Sequence, residues 1–151
     1  MLQRIQTVYL LISLVLMGIL GLVPLGEIAS GDLLYSFGSR GVIADSGTLI
    51  YNGWPLLVLL VIIVFLHGLA IAKFKHRILQ IRISIINILL MIGFLLVSWY
   101  FISASLTQIG DGVYSFKLPM VFPLVAVVLD YLAIRAIGSD EALIRSLDRI
   151  R

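Results

Sequence analysis

Lys73-Phe74-Lys75-His76-Arg77-Ile78-Leu79-Gln80-Ile81-Arg82 stands between two of the most apolar runs of the chain, and its reading decides how the protein is laid out. Before it, Trp54 to Ala72 contains no Asp, Glu, Lys or Arg; after it, Ile83 to Ile102 contains none either. A hydrocarbon core about 30 Å thick needs roughly 20 apolar residues of helix at 1.5 Å rise per residue. Both runs meet that length. A polar connection of only about ten residues makes them antiparallel neighbours, a helical hairpin with a basic turn.

Outward from this hairpin, Ile5 to Leu25 and Pro119 to Ile137 complete a set of four apolar runs. Of the 151 residues, 61% are hydrophobic and 13% charged, against about 25% charge in soluble domains. The runs leave no room for a separate soluble domain of ordinary size. Residues 1–151 therefore read as a single integral membrane domain with helices at about 5–25, 54–72, 83–102 and 119–137. The expected fold class is an all-α membrane protein, a bundle of four transmembrane helices. Cleavage of the first run as a signal peptide is the weaker reading, because its apolar stretch exceeds the 7–15 residues of such a segment. No cysteine is present, which excludes disulfides, thiolate nucleophiles and thiolate metal sites.

Orientation follows from the basic residues. Short cytoplasmic loops carry an excess of Lys and Arg. Arg4, Lys73, Lys75, Arg77, Arg82, Arg135, Arg145, Arg149 and Arg151 fall on one side of the four runs, and Arg40 and Lys117 on the other. Both termini are thus expected in the cytoplasm of a bacterial cell, with the protein in its inner membrane and the basic side facing anionic headgroups.

The two outer loops carry an echo. Residues 26–53 include Leu33-Leu34-Tyr35-Ser36-Phe37 and Thr48-Leu49-Ile50-Tyr51, strand-like segments separated by turn formers. The second loop contains Gly112-Val113-Tyr114-Ser115-Phe116. If the two Tyr-Ser-Phe copies pair, the loops form one small extramembrane sheet over the helices, and the chain reads as two helix-loop-helix units. At the other end, Gly138-Ser139-Asp140-Glu141 reads as a helix stop followed by a new start with Ser139 as N-cap. The tail helix at about 139–151 is amphipathic, with Leu143, Ile144, Leu147 and Ile150 on a stripe beside the arginines.

Inside the spans, polar residues are expensive and mark candidate sites. His67, Asn87 and Asp130 each lie five or six residues from the basic side, about 7–9 Å deep at the helical rise. Gln6 falls slightly nearer the same boundary. These four residues make a polar intramembrane layer with two readings. One is an interhelical clasp, in which each hydrogen bond is worth about 0.6 kcal/mol. The other is a proton or small-ligand site, since a histidine beside a carboxylate can change charge near neutral pH. No Gly-rich phosphate loop, nucleophile elbow or metal-ligand motif occurs, so no catalytic residue, metal or cofactor is expected, nor any nucleic acid as partner.

The start, Met1-Leu2-Gln3-Arg4-Ile5-Gln6-Thr7-Val8-Tyr9, and the end, Leu129-Asp130-Tyr131 to Arg135 with Asp140-Glu141 to Arg151, resemble a bacterial family of small four-helix membrane proteins known as domain of unknown function 4293. In the family pattern a basic pair often precedes the Asp-Glu of the tail, where this chain has Gly138-Ser139. The resemblance implies inner-membrane residence and no activity. The function expected is an accessory or scaffold subunit of a membrane assembly, or a homo-oligomer, without catalysis of its own. The alternative is a small transporter or proton-linked sensor built on His67 and Asp130.

Overall fold

A computed structural model describes residues 2–31, 33–74, 76–110 and 112–148, and the side chains of residues 2–4 and 143–148 lie outside that description. In chain order the elements are α1 (Leu2–Ile19), β1 (Gly26–Ser30), β2 (Leu33–Gly38), β3 (Gly41–Ala44), β4 (Leu49–Asn52), α2 (Trp54–Ala72), α3 (Arg77–Ile109), β5 (Val113–Phe116) and α4 (Phe122–Asp148), with a 3-10 turn at Leu118–Val121 leading into α4.

The expected all-α bundle of four transmembrane helices is overturned. The chain is mostly helical, but it carries a five-stranded antiparallel sheet in the order β4-β3-β2-β1-β5. Three helical segments, Trp54–Ala72, Arg77–Ile109 and Leu118–Ala142, are long and apolar enough to cross a membrane, while the apolar part of α1 is only Ile5–Ile19. Leu20-Gly21-Leu22-Val23-Pro24-Leu25 continues the apolar run without continuing the helix. Pro24 disfavours helical backbone at Val23, and Leu25 is drawn into the sheet, its N–H bonding the Phe37 carbonyl at 2.7 Å. Hydrophobicity does not distinguish a helix from a buried turn and strand.

The helices pack side by side in a ring, α1 on α2, α2 on α3, α3 on α4 and α4 back on α1. Each presents a buried stripe that steps alternately by three and four residues: Gln6, Leu10, Ser13 and Met17; Leu56, Leu60, Ile63, His67 and Ala70; Gln80, Ser84, Asn87, Met91, Phe94 and Ser98; Ala126, Asp130, Ala133, Ile137 and Asp140. That 3.5-residue period is the signature of helices wrapping gently around one another, knobs into holes. Outward-facing Val61, Phe65, Leu89, Leu96 and Val128 are exposed, the inverse of a water-soluble surface and the arrangement lipid requires. The helices make this a membrane protein.

The sheet closes the end of the ring opposite the basic turn. The two Tyr-Ser-Phe copies do not pair with each other; β1 lies between them. Gly26 stands opposite both Phe37 and Phe116, Glu27 opposite both Ser36 and Ser115, and Ile28 opposite both Tyr35 and Tyr114. Alternation along the strands turns Ile28, Phe37 and Val42 onto the helices, where they join Met17, Leu20, Leu56, Met91, Phe94 and Phe101 in the main core. Tyr51 meets Phe101 edge to face at 5.5 Å between ring centroids, so the last turns of α3 stand beside the sheet. Because the first loop supplies four strands and the second one, the chain is not built from two equivalent helix-loop-helix units.

Three further helix boundaries differ from expectation. α3 takes in Arg77 to Arg82 at one end and Ser103 to Ile109 at the other. α4 runs unbroken through Gly138-Ser139, so no separate tail helix begins there, and Ser139 Oγ donates to the Ala136 carbonyl at 2.9 Å instead of capping. Glycine costs about 1 kcal/mol relative to alanine in a helix. Burial of Ile137 and Asp140 against neighbouring helices offsets that local preference. The amphipathic stripe Leu143, Ile144, Leu147 and Ile150 falls outside the described side chains.

Candidate functional site: a buried polar layer

Three helices position the layer, each by its inward stripe. His67 on α2, Asn87 on α3 and Asp130 on α4 are all fully buried and meet between the helices. His67 Nε2 lies 3.2 Å from both carboxylate oxygens of Asp130. On the other side of the ring, His67 Nδ1 is 3.0 Å from the Ile63 carbonyl and 2.6 Å from Asn87 Nδ2.

Hydrogen-bond chemistry limits how this group is protonated. A proton lies between Nε2 and Asp130, because two bare acceptors would repel. At Nδ1 two arrangements are open. Nδ1 accepts from the Asn87 amide, with a neutral imidazole beside an ionised carboxylate; or Nδ1–H donates to the Ile63 carbonyl, with the Asn87 amide turned to present its oxygen and the shared proton on either Nε2 or the carboxyl group, so that the pair has zero net charge. The two arrangements differ by one proton and by the role of one ring nitrogen.

Around this triad, polar capacity is spare. Ser84 Oγ, Asn87 Oδ1 and Asp130 Oδ2 are buried without a hydrogen-bond partner among the described residues. Above it, toward the sheet, Ser13 Oγ donates to the Ala126 carbonyl at 3.2 Å. Below it, Leu10, Ala70 and Ala133 form a small apolar plug. Below the plug, Gln6 Nε2 donates to Asp140 Oδ2 at 2.8 Å, both residues buried.

The sequence reading thus divides. His67, Asn87 and Asp130 come together; Gln6 does not join them but bonds Asp140. A helix stop at Gly138 would place Asp140 in the first turn of a solvated tail, which is why the sequence reading does not put it in the layer. One signal was available: Asp130 and Asp140 are ten residues apart, which is three plus four plus three, the same inward stripe.

Of the basic residues, Lys73 is exposed just past the end of α2, Arg82 and Arg135 are exposed, and Arg77 lies 3.9 Å from Glu141. Lys75, Arg149 and Arg151 lie outside the described residues, as do the side chains of Arg4 and Arg145. On the sheet side, Lys117 Nζ donates to Glu27 Oε1. Among the described residues there is no group of three or more His, Asp or Glu side chains placed to hold a metal ion.

Residues 2–150 match the model of a family described as a domain of unknown function (DUF4293). A comparison with curated proteins finds no match.

Proposed function

We propose that this chain, which belongs to the DUF4293 family, is an accessory or scaffold subunit of a bacterial inner-membrane assembly, with both termini in the cytoplasm, the sheet outside and no catalysis of its own. The observation that carries this reading is the outer face of the sheet. Leu34, Ala29 and Val113 stand side by side across β2, β1 and β5, on the face opposite buried Ile28 and Phe37. Leu34 is 55% and Val113 72% exposed, and Leu49 on β4 is 53% exposed. An apolar row on an extramembrane surface is a contact surface for another protein. The orientation rests on the excess of Lys and Arg at the opposite end.

Photo-crosslinking groups at positions 34 and 113, followed by mild-detergent purification and mass spectrometry, test this. A defined co-purifying protein, crosslinked at those positions, supports the subunit reading. A lone monomer without crosslinks removes it.

A second reading is favoured by the His67–Asp130 pair: a proton-linked sensor or small transporter in which Nδ1 gains and loses the proton. Its support is the spare polar capacity of Asn87, against the imidazole, and of Ser84, three residues before it on the same buried stripe. A pH-dependent flux in liposomes that Asp130→Asn abolishes would select it; no flux at any pH would reject the transport form.

A further inference from the structure

At the end of the molecule away from the sheet, the turn between α2 and α3 opens into a groove of about 790 Å³ whose lining includes Lys73, His76, Arg77, Arg82, Ile78 and Glu141. Three of these side chains are permanently cationic and one is anionic, so the groove carries a net positive charge before His76 is counted. The single carboxylate offsets only one of them: Glu141 Oε2 lies 3.9 Å from Arg77 Nη1, an ion pair without a hydrogen bond, which leaves Lys73 and Arg82 in excess. Arg77 Nη1 is buried and has no hydrogen-bond partner among the described residues, although its side chain is 19% exposed. A largely buried guanidinium whose Nη1 is ion-paired but makes no hydrogen bond can still donate to an oxygen acceptor.

The groove also lies at a helix start. His76 precedes α3 with no side chain capping the first turn, so the positive end of the longest helix faces the same space. Ile78 and Leu79, in that first turn, are 51% and 41% exposed and stand next to the apolar outer surface of the helices. Phosphate-sized charge recognition and a greasy exit are therefore combined at one place, at the boundary of a membrane-spanning helix pair.

We propose that this groove binds the headgroup of an anionic phospholipid. The phosphate accepts from Arg77, Arg82 and the start of α3, Lys73 and His76 flank the headgroup, and the acyl chains leave along Ile78 and Leu79. Free phosphate shares the headgroup chemistry but gains nothing from the apolar exit, which is why the lipid is the ligand. This site is independent of the subunit reading, which rests on the opposite end of the molecule.

The test uses the full-length chain in mild detergent, titrated with phosphatidylglycerol, phosphatidylcholine or inorganic phosphate and followed by native mass spectrometry. Phosphatidylglycerol is expected to saturate at one molecule per chain, and Arg77→Gln combined with Arg82→Gln to weaken it roughly 30-fold. Lys117→Gln, at the sheet end, leaves binding unchanged. Equal binding of phosphatidylcholine, or full retention by the double variant, overturns the proposal. Saturation by inorganic phosphate that displaces the lipid overturns the lipid as ligand. If the arginine double variant does not yield folded protein, Lys73→Gln with His76→Gln, both on exposed side chains, is expected to weaken binding about tenfold, and unaltered binding there counts against the site.

Discussion

The Gln6 side-chain amide donates to the Asp140 carboxylate at 2.8 Å across 134 residues of sequence, joining the first turns of α1 to a stretch of α4 beyond a glycine and a serine. This bond fixes α1 against α4 at the basic end, and it explains why α4 does not stop at Gly138. Replacing Gln6 with leucine leaves a buried acceptor unmet, with an expected loss of about 1–3 kcal/mol. Asp140→Asn keeps an acceptor oxygen for the Gln6 amide and is expected to cost less. Denaturation in detergent of the two variants, followed by circular dichroism, checks the order.

His67 and Asp130 are expected to be strongly coupled. Removing one partner strands a buried polar or charged group, at about 3–5 kcal/mol for a broken buried pair. His67→Leu with Asp130→Leu together should therefore be more stable than Asp130 left alone by His67→Leu. A double-mutant cycle showing simple additivity would mean that the pair contributes no interaction.

Tyr114 lies over Gly26. A Cβ at Gly26 would fall on the far edge of the Tyr114 ring, which also packs edge to face with Phe116 at 4.7 Å and Phe37 at 6.1 Å between centroids. Gly26→Ala must push that ring out of its place, and is expected to cost about 1–3 kcal/mol. Thermal unfolding of the variant, compared with Gly26→Ala combined with Tyr114→Ala, separates the clash from the loss of the ring.

The same ring provides a pH signature. Burial pushes the Tyr114 phenol up to about 12 from its ordinary value of 10.0. The folded value lies above the unfolded one, so the stability associated with the neutral phenol is intact below pH about 10 and is lost as pH rises through about 12. Ultraviolet titration of phenolate should show a late-ionising component that Tyr114→Phe removes and that moves back toward the ordinary value in Gly26→Ala. A titration with no component near pH 12 would place Tyr114 in water.

Gly41 opens β3 with φ at +120°, and a Cβ there would lie against the Tyr51 carbonyl oxygen and the Gly53 amide. No L side chain adopts that backbone cheaply and no flexible group stands in the way to yield. Gly41→Ala is expected to open the β3–β4 hairpin, read as faster protease cleavage between residues 41 and 53, with the helices retained by circular dichroism.

Composition alone determined the solvent of this protein. Long apolar runs cannot be left in water, and the runs at 54–72 and 119–137 became helical backbone because helices satisfy their own N–H and C=O groups without water. A basic turn beginning at Lys73, the pairing of α2 with α3 and the strand character of both Tyr-Ser-Phe segments were legible for the same reason: each depends on local chemistry. Which face of each helix turns inward was not, since helices apolar all round have no amphipathic contrast to read. Only packing selected the inward stripes that set His67 against Asp130 and Asn87. Tertiary structure also took Leu20 to Leu25 out of the first helix, carried α4 through Gly138 to reach Gln6, and placed β1 between the two Tyr-Ser-Phe strands. Those outcomes turn on contacts between residues up to 134 positions apart, whose energies exceed the roughly 1 kcal/mol local preferences that a linear reading can weigh.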